Sequence, residues 1–459
     1  MKYLFFFILF SFTFKSFCQE VFALTNVNVI PMNRDLVLKN QTVVIENGRI
    51  KSIISSANYR VPPEIFSIDC TDKYLIPGLI DMHAHFFYEQ GIPASEIPKE
   101  AGLMLANGLT TARIMNGHPV YLQTKKEIAA SKMPGPELFV VSPQLVGEWP
   151  FSGPFIGKIV ITPAEASSAV PLFKREGYDE IKLTFFLKPD VYNAVITTAR
   201  ASGIGVTGHV GASVRLPKAI AARQQIEHLD EFLEMLLPDS LLKAGIGISG
   251  PAIWKKESWL ALEKIDEKKI PSLVNSIRSS GIYLTPTNYF LHSSFAQLQS
   301  SAEIFNGPGF KFIPDSLKKD RFDLKNRYWQ NGPRPEHREQ FIEVRRKLTR
   351  SLHKAGVPLM AGSDSPEWFL VPGFSLHNEL EEFVNCGLSE FEALETATKI
   401  PSKYLKIDGR TGTIEKGKEA DLILLNANPL EDIRNTRLIL GVINNGKLYD
   451  TEQLEQLLK

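Results

Sequence analysis

Cysteine is scarce in this chain, with three in 459 residues: Cys18, Cys70 and Cys386. So few, so far apart, exclude a disulfide framework, and the fold must depend on its core. An excess of charge of one sign is missing too. Lys and Arg number 52 against 51 Asp and Glu, a net charge of +1. That balance gives no reason to expect nucleic acid or an acidic membrane surface as partner. No apolar run is long enough to span a bilayer. The one from Leu4 to Phe14 is short and is stopped by Lys15. Internal repeats and low-complexity segments are also lacking.

What is present at the start is a basic residue, an apolar stretch and small residues around Ser16 and Cys18. This pattern reads as a signal peptide, residues 1–18, cleaved after Cys18. It implies a secreted or periplasmic protein with no stable membrane insertion after cleavage. Lipid attachment at Cys18 is a minor alternative. The remainder is ordinary in composition, 44% hydrophobic and 22% charged, and long enough for a large barrel plus a smaller domain.

Both ends of the chain beyond the leader read as β. Ala23 to Ile30 alternates in part. Thr42 to Ile50 is a run, an Asn47-Gly48 turn and a return. Near the other end Gly412 to Lys418 reads as a turn-rich hairpin, Ala420 to Leu425 as a strand, and Leu438 to Tyr449 as a pair joined by Asn445-Gly446. We expect these regions, 19–74 and 405–459, to form one composite β-sandwich domain. Between them, residues 75–404 alternate apolar runs with helical stretches, an α/β pattern with eight strand candidates. These lie near Leu79–His83, Thr110–Met115, Leu138–Ser142, Glu180–Leu183, Gly205–His209, Gln225–His228, Ile282–Thr285 and Pro358–Gly362. Eight βα units predict a (β/α)8 TIM barrel. Tyr289 to Arg346 breaks the alternation and reads as an enlarged loop over the barrel mouth.

The chemistry starts at Pro77-Gly78-Leu79-Ile80-Asp81-Met82-His83-Ala84-His85. On a strand, alternate side chains share a face, so His83 and His85 can grip one metal ion. Further along, Lys182, His209, His228 and Asp364 fall at the ends of other strand candidates. Barrel enzymes carry their chemistry at these strand ends. Singly each has an ordinary reading: a structural histidine, a solvated lysine, a helix cap. Together they make a ligand set.

At these motifs the sequence resembles the amidohydrolase superfamily. The similarity includes Pro77 to His85, Asn107-Gly108-Leu109-Thr110-Thr111, Ile226-Glu227-His228 and the tail Gly417 to Leu425. Asp179 to Leu183 resembles the branch of imidazolonepropionase-like and Xaa-Pro dipeptidase-like enzymes. The resemblance implies two divalent metal ions, with zinc expected. His83, His85 and Asp364 would hold one, His209 and His228 the other, with carboxylated Lys182 between them. One ion with unmodified Lys182 is the alternative. It further implies that Asp364 moves the proton when metal-activated water attacks a C–N bond, in an amide or cyclic amide. An Xaa-Pro dipeptidase is the alternative substrate reading, and a non-catalytic metal-binding or ligand-binding barrel the alternative of another class. The partner is a small molecule; a homo-oligomer is left open. In the segment after strand eight, Ser363 and Ser365 flank Asp364 where the superfamily more often has threonine and a small residue. Finally Phe86, Phe87, Tyr88, Trp149, Phe151, Trp368 and Phe369 follow strands at one barrel mouth. They predict an apolar pocket, and the scarcity of basic residues among them disfavours a strongly anionic substrate.

Overall fold

The structure, a computed structural model, describes residues 21–149, 156–296, 299–330 and 333–459, with backbone only at 329 and 330. The expected leader and Phe151 lie outside the described residues. β1 (Val21–Val29), β2 (Leu38–Glu46) and β3 (Arg49–Ser55) run antiparallel in sequence. Asn47 and Gly48 close the β2–β3 turn at φ 50° and 75°, the left-handed pair that a two-residue hairpin needs. β4 (Phe66–Asp69) and β5 (Tyr74–Pro77) both pair with β1, one along each half.

The next nine strands are β6 (Leu79–Ala84), β7 (Leu109–Ile114), β8 (Glu137–Val140), β9 (Leu145–Val146), β10 (Lys158–Ile159), β11 (Glu180–Leu183), β12 (Gly205–Gly208), β13 (Gln225–Glu227) and β14 (Leu284–Thr285). All their pairings are parallel. They form a sheet β6-β7-β8 and a sheet β10-β9-β11-β12-β13-β14. Helices alternate with them, among others Ile97–Ala106, Pro163–Glu176 and Pro189–Ser202. Thr162 and Glu165 cap the second in a reciprocal box.

Residues 358–365 make only isolated bridges, to Leu284 and Ala84. Their backbone nevertheless bonds both ways. Leu284 N–H donates to the Pro358 carbonyl at 3.1 Å and Met82 N–H to that of Ala361 at 2.9 Å. Asp364 N–H reaches the His83 carbonyl at 2.7 Å. Asp179 N–H joins Val140 O and Ser142 N–H joins Glu180 O, each at 2.8 Å, linking β8 to β11. Just past the expected strand Pro358–Gly362, Asp364 sits at φ 55°, outside the extended region.

β15 (Leu422–Leu425), β16 (Ile439–Asn444) and β17 (Lys447–Asp450) return to the first sheet. β15 pairs antiparallel with β5, giving the order β17-β16-β15-β5-β1-β2-β3 with β4 on β1. Strands from both chain ends thus share one sheet. It forks at β1, so only part of a two-layer sandwich is visible. Its core holds Phe22, Leu24, Val43, Ile45, Leu75, Leu422 and Ile443. Burying each side chain is worth roughly 1.5–3 kcal/mol. Gly412 to Lys418 forms turns rather than a hairpin: Ile414 N–H bonds the Pro31 carbonyl and Gly417 N–H that of Ile50.

The stretch after β14 departs most from expectation. It is mainly helical, with Asn288–Ser294, Ser301–Asn306, Asp315–Gln330 and Pro335–Lys354. The break in the strand–helix alternation is thus a run of consecutive helices rather than a loop. The last buries Phe341, Val344, Leu348 and Leu352. Cys70 and Cys386 are free and buried. Among the described residues no helix is long and apolar enough to cross a membrane.

Candidate metal centre

The site is assembled from the ends of β6, β11, β12 and β13 and from the segment before Pro366. β6 is buried throughout, and its alternation sends His83 and His85 one way. The rings lie 5.3 Å apart. Asp364 comes in beside them. Its Oδ1 is 3.3 Å from His83 Nε2 and 3.5 Å from His85 Nε2, while Oδ2 is 3.5 Å from His228 Nδ1. His83, His228 and Asp364 are buried and each offers a ligand atom within 4.8 Å of the others. That spacing suits one cation touching all three. His228 therefore groups with His83 and Asp364 rather than with His209 alone. His209 stacks on His228 at 4.7 Å, so all four histidines form a continuous row.

Lys182 lies buried on β11 with no hydrogen-bond partner for Nζ among the described residues. Burial lowers its pKa, against the pull of Glu227 and Asp364. An unsatisfied buried amine costs free energy and calls for an occupant or a modification.

Several groups that sequence reasoning missed hold these side chains in place. Glu227 pairs with His83 Nδ1 at 2.7 Å and accepts from Arg113 at 2.6 Å and Thr207 at 2.9 Å. Arg113, fully buried, also bonds the Met82 carbonyl, Glu180 and Gln225. Asp230 pairs with His209 Nδ1 at 2.8 Å, Thr287 with His228 Nδ1 at 2.7 Å, and Glu89 with His85 Nδ1 at 3.1 Å. Such partners fix the orientation of ligand histidines. The one signal in the sequence was a charged residue inside an apolar strand, as in Ile226-Glu227-His228. Burial holds His83 and His228 well below the usual imidazole range and brings His209 to about 3. Neutral imidazole is the ligand form. At His85 burial acts the same way, but Glu89 and Asp364 outweigh it and raise the pKa to about 10.

The backbone at the site is strained. His228, Leu229, Glu231, Thr287, Asp364 and Trp368 all have φ between 45° and 67°. Non-glycine residues held there cost roughly 1–3 kcal/mol each and cluster at functional sites. Gly362 is required by space. A Cβ there would lie 2.7 Å from His83 Cβ and 2.5 Å from Thr285 Cγ2.

The aromatics divide. Phe86, buried against Tyr121 at 5.1 Å, belongs to the core, whereas Phe87, also buried, lines a separate cavity beside the helix Ile97–Ala106. Trp368 stacks on Trp254 and packs on Phe295 and Tyr328 as a cluster. Phe185 faces His209 at 4.3 Å and Phe290 faces His228 at 6.0 Å, so the apolar neighbours of the centre come from other segments. Basic residues also reach this side. Arg321, from the helix Asp315–Gln330, bonds the Pro366 carbonyl at 2.7 Å. Of the other histidines, His377 bonds Thr436 and the Asn107 carbonyl, His292 pairs with Glu382, and His118 caps the helix Pro119–Ala129.

Compared with known proteins, residues 74–449 match the sequence model of the amidohydrolase family. The imidazolonepropionase of Thermoplasma acidophilum is 22% identical over 406 residues, covering 86% of this chain and 85% of that protein. Among solved structures, a Xaa-Pro dipeptidase with bound methionine in the active site aligns at TM-score 0.66 and 21% identity, over 94% of this chain and 100% of that one. The bottromycin amidohydrolase aligns at TM-score 0.71 and 21% identity, over 95% and 89%. At these identities the structural likenesses establish the fold.

Proposed function

The chain belongs to the amidohydrolase family and is a metal-dependent hydrolase of carbon–nitrogen bonds; from that premise we propose that it cleaves an amide or cyclic amide of a small molecule, with Asp364 as the proton carrier. The observation that supports this best is the buried His83–His228–Asp364 cluster with the unpartnered amine of Lys182. His85 and His209 complete the donor set, which suits two cations bridged by a carbamate on Lys182. A divalent ion bound there acidifies water and polarises a carbonyl. The chain's own groups do the rest. Glu227, Asp230 and Thr287 keep the imidazoles oriented. Asp364 accepts a proton from the attacking water and passes it to the leaving nitrogen. Burial favours the neutral amine of Lys182, the form that adds to carbon dioxide.

Under the same reading, the parallel strands and residues 358–365 form a closed (β/α)8 barrel spanning 75–404. The bonds to Leu284 on one side and Met82 on the other support that closure. The composite β domain is then 19–74 with 405–459. Residues 1–18 are an export signal, and the enzyme acts outside the cytoplasm.

One observation favours a dipeptide-like substrate. Arg321 is buried beside Pro366, two residues from Asp364, and its Nη1 has no partner among the described residues. A guanidinium edge so placed suits a substrate carboxylate.

The test is turnover by the metal-loaded protein on a panel of Xaa-Pro dipeptides, dipeptide amides and cyclic amides, with Asp364→Asn as control. Activity on none of them would overturn the reading. Arg321→Met should raise KM for free dipeptides about tenfold or more, leaving that for their C-terminal amides unchanged. An equal rise for both would remove Arg321 as the carboxylate anchor.

A further inference from the structure

A cavity of about 410 Å³ lies between the helix Ile97–Ala106 and the segment Lys311–Asp315, and none of the metal-centre residues lines it. Its apolar walls are Phe87, Leu103, Phe312, Ile313 and Leu457. Glu100 is set into this wall and is 95% shielded from solvent, being 5% exposed. One oxygen, Oε2, accepts from the Phe87 N–H at 2.8 Å. The other, Oε1, is buried and has no partner among the described residues. A carboxyl oxygen in that state calls for a donor.

Glu96 and Asp315 add acidic groups to the rim. Lys99 already donates to the Lys459 carbonyl at 2.9 Å, and Lys311 lies over the Phe312 ring at 4.7 Å. Arg321 lies against Phe87, with its Nη2 engaged by Gln90 and Pro366 and its Nη1 without a partner among the described residues. The space is thus walled largely by apolar side chains, with one unsatisfied buried acid and a rim of two acids and two bases on which Asp315 is already paired with Lys318. A few convergent polar groups on an apolar lining are the marks of a small-molecule site.

We propose that this cavity binds an amphipathic organic cation, an amine on an apolar body, with the ammonium donating to Glu100 Oε1. It is a second site, separate from the metal centre. Glu100 also holds the Phe87 amide, two residues beyond His85, so an occupant bears on the segment that carries a metal ligand.

The probe is 2-phenylethylamine, titrated calorimetrically into the full metal-loaded protein, with 2-phenylethanol and 3-phenylpropionate as uncharged and anionic comparisons. The amine should bind at least tenfold more tightly than either. Glu100→Gln should weaken it by tenfold or more. Ile92→Trp, which fills the cavity from its rim, should abolish it and serves if the buried variant does not fold. Asp364→Asn should bind the amine as wild type does. Three results would overturn the site: no binding of the amine, equal binding of the alcohol, or loss in Asp364→Asn with retention in Ile92→Trp. The last would put the amine at the metal centre.

Discussion

Asp364 has two tasks that one substitution separates. Its two oxygens face His83 and His85 on one side and His228 on the other, and its backbone is held at φ 55° by the His83 carbonyl bond. Asn keeps the shape and one ligating oxygen but cannot carry a proton. Asp364→Asn should therefore fold, keep most of its metal by elemental analysis, and lose kcat by about a hundredfold or more. Near-normal kcat would remove the proton-transfer role. Lys182 makes a different demand. Its Nζ is buried and alone among the described residues, whereas a carbamate would carry two oxygens to meet cations. Protein loaded in ¹³C-bicarbonate should show one carbamate carbon resonance, absent from Lys182→Ala. Its absence from the wild type would leave Lys182 unmodified. The six candidates His83, His85, Lys182, His209, His228 and Asp364 stood out in the sequence because histidine, lysine and aspartate at strand ends are chemically conspicuous, and the structure groups His83, His228 and Asp364 among them. Arg113 and Glu227 did not stand out, because their partners lie far off in sequence: Arg113 meets Met82, Glu180, Gln225 and Glu227.

At the scale of elements, legibility followed periodicity. The hairpin at Asn47-Gly48 carries a local signal and appears where expected. The segment Pro358–Gly362 was expected as an eighth strand but makes only an isolated bridge, Leu359 to Leu284. The helices after β14 were not legible because they interrupt the strand–helix alternation from which the rest was read. β15 supplies a prediction of its own. Asp421 precedes it, is buried, and accepts from the Asn445 N–H at 2.8 Å, tying β15 to the β16–β17 turn. Burial raises its pKa to about 7. The folded state thus keeps a proton that the unfolded chain releases near pH 4. This contribution is complete below pH 4 and is lost as pH rises through 7. Asp421→Asn, which cannot ionise, should remove it. Relative to wild type, the variant should gain up to about 4 kcal/mol between pH 4 and pH 8 in denaturant unfolding, at about 1.36 kcal/mol per pH unit. A difference that does not change with pH would show that Asp421 does not titrate in this range.

On the scale of the whole molecule, the candidate metal ligands join parts of the chain that are far apart. They come from β6, β11, β12, β13 and the segment before Pro366, so their spacing depends on the register of these four parallel strands. The same dependence runs in reverse. A cation bound only by the folded state stabilises all of it, by about 2.7 kcal/mol per ion when free metal exceeds Kd a hundredfold. At an unfolding entropy of about 2.1 cal/mol/K per residue over roughly 440 residues, that is about 3 °C in Tm per ion. Six donors suit two ions better than one, and the row His85–His83–His228–His209 is long enough to be shared, with ring separations of 5.3, 4.6 and 4.7 Å. We therefore expect about two equivalents of divalent metal per chain after loading with zinc and bicarbonate. Chelation should lower Tm by about 6 °C, and adding metal back should restore it. His209→Ala removes a donor from one end of the row and leaves His83, His228 and Asp364 intact. It should bind about one equivalent and lose about half of the metal-dependent rise in Tm. Wild type that takes up a single equivalent, with a Tm rise unchanged in His209→Ala, would reduce the centre to one ion held by His83, His228 and Asp364, and would leave Lys182 without a bridging role.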